Sequence, residues 1–132
     1  TLKIIEKYRK KYKFLRVFKS IPFLDYLSII NITQAMEGNS SSGLVEAPYF
    51  RVPAVNIGTR QQGRLHSGNV IHVSYNKNEI INAINKALFD KKFLLKVKRC
   101  KNPYGDGKCG KRISRILSSI EILPEILVKK YI

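Results

Sequence analysis

The sequence predicts an α/β fold built on a mostly parallel sheet, and three observations carry that reading. Short β-rich runs alternate with segments of helical spacing, which calls for crossover connections rather than hairpins. Clusters of Ser, Gly, Pro and Asn fall between the runs, where loops belong. The apolar fraction is 44% over 132 residues, enough for one domain with a core. The sequence contains no internal repeat and no low-complexity tract.

Leu2 to Lys13 has helical spacing at Leu2, Ile5, Tyr8 and Tyr12 and is rich in Lys. Phe14 to Lys19 is a β-rich run ending at Ser20-Ile21-Pro22. Phe23 to Ile30 places Phe23, Leu24, Leu27 and Ile30 on one helical face. Thr33 to Glu37 reads as a strand, although Gln34 and Glu37 are polar. Gly43 to Phe50 reads as a short helix that stops before Pro53. Val52 to Ile57 and Asn69 to Val73 are two further strands. Lys77 to Phe89 is the clearest helix, with Ile80, Ile81, Ile84 and Leu88 spaced i, i+1, i+4, i+8. Either Asn76 or Asn78 suits its cap. Asn102 to Gly107 (NPYGDG) is a turn, and a last helix covers Lys111 to Ile120.

The formal net charge is +16, a value that attracts polyanions. The bases concentrate in Lys3 to Lys19 and Lys86 to Lys130, both of which read as amphipathic helices with lysines toward solvent. No zinc finger, RRM signature or GXXG loop accompanies them, which argues against nucleic acid. No apolar run reaches the length of a membrane span, and nothing has the layout of a signal peptide. Cys100 and Cys109 are too few for a disulfide framework and have no neighbours to complete a zinc set. They read as reduced thiols of a cytoplasmic protein. Thr1 rather than Met stands first, which suits a piece of a longer protein.

In an open parallel sheet, ligands bind beyond the carboxyl ends of the strands. That rule selects three loops: Ser20-Ile21-Pro22, Asn39 to Gly43, and Gly58-Thr59-Arg60-Gln61. Each follows a predicted strand, so all three should share one edge. The middle loop carries Ser40, Ser41 and Ser42 between Gly38 and Gly43. Backbone N–H groups and small hydroxyls before a helix suit a phosphate. An ordinary serine cap would need only one of the three.

Glu46 lies one turn into that helix. Its carboxylate would repel a phosphate, so it should meet another part of a nucleotide, and paired ribose hydroxyls are the natural donors. A capping-box acid is the plainer reading, weakened because the offset from Ser42 is four rather than three. Arg60 offers a cation for a diphosphate, and reads equally as a surface arginine. Arg64, His66 and His72 are less specific, and His72 alternates with apolar residues as a structural strand residue would.

Two stretches bring a known family into view. Gly38 to Pro48 (GNSSSGLVEAP) resembles the helix-start motif of UDP-N-acetylglucosamine 2-epimerases. Val55 to Arg64 (VNIGTRQQGR) resembles the stretch that follows it in the hydrolysing branch, and NPYGDG occurs in both branches. The matches run from about Phe14 to the last helix.

The resemblance implies a Rossmann-like, UDP-binding part of the carboxy-terminal domain of a two-domain GT-B fold, spanning residues 1–132 with helices from about 111. It implies that Ser40 and Ser41 contact the diphosphate, Glu46 the ribose and Arg60 the UDP, while Ile21 meets the uracil. Ser20, Ser42 and Gly43 are additional candidates. The implied reaction converts UDP-N-acetylglucosamine and water to N-acetylmannosamine and UDP, toward sialic-acid or related sugars. It implies no metal or other cofactor, a UDP-sugar substrate, an amino-terminal partner domain carrying the catalytic groups, and a homo-oligomer at full length. The family strands that sit between those matching Phe14–Lys19 and Thr33–Glu37 have no counterpart here. Within this sequence no pair of carboxylates or histidines stands out on the binding edge, so no catalytic residue is expected in it. A basic, non-catalytic binding module and a truncated UDP-binding remnant are the alternatives.

Overall fold

The computed structural model describes residues 2–121. The part of the basic carboxy-terminal stretch after residue 121 lies outside them. The sheet has three strands, β1 (Met36–Gly38), β2 (Ala54–Ile57) and β3 (Val70–Val73), in the order β1-β2-β3 and all parallel. The described residues also form six helices: α1 (Leu2–Lys11), α2 (Phe23–Ile32), α3 (Ser42–Val45), α4 (Lys77–Phe89), α5 (Lys91–Arg99) and α6 (Cys109–Ser119). The predicted α/β class and parallel sheet are what the chain adopts.

The two-residue periodicity of the strands sorts their side chains onto two faces. Val55, with Ile57, Ile71 and Val73, packs against Ala83, Ala87, Phe93 and Val97 of α4 and α5. Ala54 and Val70 point the other way, against Leu44 of α3. Gly43 lets α3 come close, since a Cβ there would meet the Ala54 Cβ at 3.2 Å. A third cluster joins Ile30 of α2 to Ala47 and Val52. Burying a side chain such as Phe93 or Val97 contributes about 1.5–3 kcal/mol. By contrast, α1 and α6 bury none of their residues.

Helix α4 has the predicted bounds, and Asn76 is its cap, accepting from the N–H groups of Asn78 and Glu79. Helix α5 was not separated from the basic stretch in the sequence reading. It starts where Asp90 accepts from the Phe93 N–H and buries Phe93 and Val97. Other bounds shift by a few residues: the strand expected at Thr33–Glu37 is β1, because Thr33 still caps α2.

Two expectations fail for physical reasons. The helix expected over Gly43–Phe50 is only α3, followed by turns. Pro48 has no N–H to continue the ladder and disfavours helix in the residue before it, and Arg51 closes the turn at φ 59°. The strand expected over Phe14–Lys19 does not form. Phe14 is 81% and Phe18 65% exposed, and no described strand lies alongside to accept the backbone hydrogen bonds. β propensity expresses itself only against a partner. Ser20-Ile21-Pro22 therefore follows no strand, and the shared edge holds two of the three predicted loops.

Candidate functional site

The carboxyl ends of β1 and β2 open into Gly38–Gly43 and Gly58–Gln61. Ser40 is exposed, Ser41 and Ser42 are half-buried, and Gly43 is buried. Ser40 Oγ accepts from the Ser42 N–H at 3.3 Å, while the Ser41 carbonyl accepts from Leu44 and Val45. The helix start itself receives no side-chain cap: Ser41 stands at the cap position without such a bond, and Ser40 Oγ only closes the turn onto Ser42. Ser41 Oγ and Ser42 Oγ have no such bond among the described residues. Because α3 has four residues, its dipole is small, and hydroxyls and backbone N–H groups are what the loop offers an anion.

Glu46 closes α3, its own N–H donating to the Ser42 carbonyl. Its Oε2 is buried and has no hydrogen-bond partner among the described residues. Buried polar atoms are almost always paired, and a carboxylate oxygen is an acceptor only. The capping-box role would leave this oxygen bonded to backbone N–H, and it is not. What the atom lacks is a donor.

A second unpaired acceptor lies next to the serine loop. Asn56, 3% exposed at the end of β2, lines a small cavity with Gly38, Ser40 and Gly43. Its Nδ2 donates to the Gly58 carbonyl at 3.1 Å and lies 3.1 Å from His72 Nδ1. Its Oδ1 is buried and unpaired. The register sets Gly38, Asn56 and His72 side by side across the sheet. The only trace of this in the sequence is a polar residue inside an apolar strand, two residues before Gly58.

Gln61 links the two loops. It is 3% exposed, donates through Nε2 to the Asn39 carbonyl at 2.8 Å and accepts from Arg64 Nη1 at 2.9 Å. Arg60, next to it, is exposed. It takes no part in the ion pairs of the described residues, which join Arg9 to Glu6 and Arg112 to Asp106. Ser20 is exposed and Ile21 half-buried, and no hydrogen bond ties either to the serine loop among the described residues.

The structure does bring two histidines together, contrary to the sequence reading. His66 and His72 meet edge to face with centroids 5.1 Å apart. They line a cleft of about 550 Å³ at the ends of β2 and β3, with Thr59, Arg64 and Tyr75. Partial burial lowers the pKa of His72 below its ordinary value, and His66 lowers it further. Glu79, on the same cleft, is held below the usual carboxylate range by hydrogen bonds from Ser74. Among the described residues no group of three or more His, Cys, Asp or Glu is placed to hold a metal, and no helix is long and apolar enough to cross a membrane.

The NPYGDG turn is not remote from the site. Asn102 Nδ2 donates to the Val45 carbonyl at 2.7 Å, at the end of α3 and one residue before Glu46. Asp106 forms a two-pronged pair with Arg112 at 2.8 and 2.7 Å, which holds its pKa at about 2.

Known proteins match this chain over most of its length. The family model described as UDP-N-acetylglucosamine 2-epimerase covers residues 1–118. "Polysialic acid biosynthesis protein P7" of Escherichia coli is 45% identical over 95 residues, 72% of this chain and 24% of the relative. "UDP-N,N'-diacetylbacillosamine 2-epimerase (hydrolyzing)" of Legionella pneumophila is 35% identical over 115 residues, 87% of this chain and 29% of the relative. The solved UDP-GlcNAc 2-epimerase of Methanocaldococcus jannaschii superposes with TM-score 0.67 at 26% identity, over 89% of this chain and 33% of that one. The Staphylococcus aureus structure titled "S. aureus MnaA-UDP co-structure" shares the fold with TM-score 0.73 at 19% identity, over 89% of this chain and 32% of that one. The chain thus spans about a quarter to a third of the length of these proteins. It belongs to the UDP-N-acetylglucosamine 2-epimerase family.

Proposed function

We propose that this chain is the UDP-holding part of the carboxy-terminal domain of a hydrolysing 2-epimerase. Its Glu46 would accept from the ribose hydroxyls, Ser40, Ser41 and Arg60 would hold the diphosphate, and Ile21 would meet the uracil, with Ser20, Ser42 and Gly43 beside them. The observation that carries this reading is the buried, unpaired Glu46 Oε2 beside a serine loop. The hydrolysing reaction is supported by the VNIGTRQQGR text and by the name of the Legionella relative. Use of the product for sialic-acid-type sugars accords with the name of the Escherichia coli relative. A cytoplasmic setting, a homo-oligomer and an amino-terminal domain bearing the catalytic groups belong to the same reading and rest on the family resemblance.

Glu46→Gln is the direct test. Loss of a charge-assisted acceptor should weaken UDP about tenfold or more. It should weaken 2′-deoxy-UDP much less, because that ligand has already lost one hydroxyl. Titration calorimetry on both ligands decides it, and equal losses would return Glu46 to a purely structural role.

The 132-residue chain by itself should not turn over UDP-N-acetylglucosamine. Removing the carbon-2 proton and adding water both need groups within hydrogen-bond reach of the sugar. Glu46 is committed to ribose in this reading, and Asp106 to Arg112. Release of UDP and N-acetylmannosamine above the buffer rate would overturn the division of labour and direct attention to His66 and His72.

A further inference from the structure

We infer that Asn102, through its hydrogen bond to the Val45 carbonyl, is a positioning residue that fixes the Glu46 carboxylate for ribose. The inference rests on the ribose reading of Glu46. It starts from a local problem: α3 is one turn long, and Pro48 and the left-handed Arg51 end it at once. So short a helix has little cooperative stability of its own, yet the residue that caps its end, Glu46, carries the acceptor on which ribose recognition depends. Something outside must hold it.

The hold on its far side comes from the NPYGDG turn, 57 residues away in sequence. Asn102 Nδ2 reaches the Val45 carbonyl at 2.7 Å, a carbonyl at the end of α3, where no further turn of helix can satisfy it. Asn102 is itself fixed, since its Oδ1 accepts from the Tyr104 N–H at 2.9 Å. The turn is anchored once more where Tyr104 Oη donates to the Leu65 carbonyl at 2.9 Å, and it is closed locally by the Asp106–Arg112 pair. The peptide between Val45 and Glu46 therefore has its carbonyl held by that turn. Glu46 reaches its buried position from that peptide. Asn102 is half-buried and its amide is taken up by Val45 and Tyr104, so its effect on binding passes through Glu46.

The test uses Asn102→Ser, which keeps an acceptor for the Tyr104 N–H but is too short to reach Val45. Asn102→Asp keeps the size and removes the donor, and serves if the serine variant folds poorly. Calorimetry with UDP and 2′-deoxy-UDP is run on each, beside a thermal melt. The expected result is a loss of about 3- to 10-fold for UDP and less than about twofold for 2′-deoxy-UDP. In the Glu46→Gln background the same substitution should change UDP affinity no further, since residues acting through one another are not additive. Tyr104→Phe, which removes only the tie to Leu65, should keep the ribose preference. Equal losses for both ligands, no loss at all, or full additivity with Glu46→Gln would overturn the inference. A Glu46→Gln variant that keeps the ribose preference would instead overturn the reading on which it rests.

Discussion

Replacing Arg60 with Ala should weaken UDP about 10- to 150-fold, or ~1.5–3 kcal/mol, the range for a hydrogen bond to a charged group. The expectation stands on geometry and on charge. Arg60 follows the carboxyl end of β2, beside Gln61, whose amide is tied to the Asn39 carbonyl of the serine loop. Its guanidinium is exposed and takes no part in the ion pairs among the described residues. No internal contact has to break when a diphosphate arrives, but the side chain loses rotamer freedom on binding, which favours the lower end of the range. The net charge of +16 raises affinity for any anion, and that background must be separated. Arg99→Ala, at the end of α5, removes the same charge and serves as the control. A loss confined to Arg60→Ala supports a direct contact. Unchanged UDP affinity, or the same loss from Arg99→Ala, would remove Arg60 from the site.

Legibility in the sequence followed the range of the interactions. Helix α4 was readable, and its cap narrowed to Asn76 or Asn78, because periodicity and capping act within a few residues. The serine loop and Glu46 were readable because they lie together in the chain, and the structure adds the unpaired Oε2 that neither spacing nor composition could show. The Phe14–Lys19 strand was misread because β-rich residues announce a strand only where a neighbour exists to pair with it. The pairing of the two histidines is not legible because His66 and His72 meet only when the loop after β2 folds back over the end of β3. Gln61 and Asn102 are ordinary polar residues in sequence. Their bonds span 22 and 57 residues, and no local pattern marks such a bond.

Asn69 belongs to that last class and carries the largest expected stability effect. It is fully buried, at 0% exposure, directly before β3. Its Nδ2 donates to the carbonyls of Gly43 and Val52, each at 3.0 Å, and its Oδ1 accepts from Ser67 Oγ at 2.9 Å. Its own carbonyl accepts from the Ala54 N–H at 2.9 Å. One side chain thus joins α3, the approach to β2 and the approach to β3, directly beneath the serine loop. Asn69→Ala removes both donated bonds and leaves two carbonyls facing a small cavity, each unmet group costing about 1–3 kcal/mol. A water entering the cavity would offset part of that, so the net loss should be about 2–4 kcal/mol. Asn69→Asp should be no better at neutral pH, because it aims a buried carboxylate at the same two carbonyls. Urea denaturation followed by circular dichroism measures both variants. A loss below about 1 kcal/mol for the alanine variant would mean that this amide does not hold the three elements together. A real loss should also weaken UDP in the folded protein, since Gly43, whose carbonyl Asn69 holds, closes the loop that carries Ser40, Ser41 and Ser42.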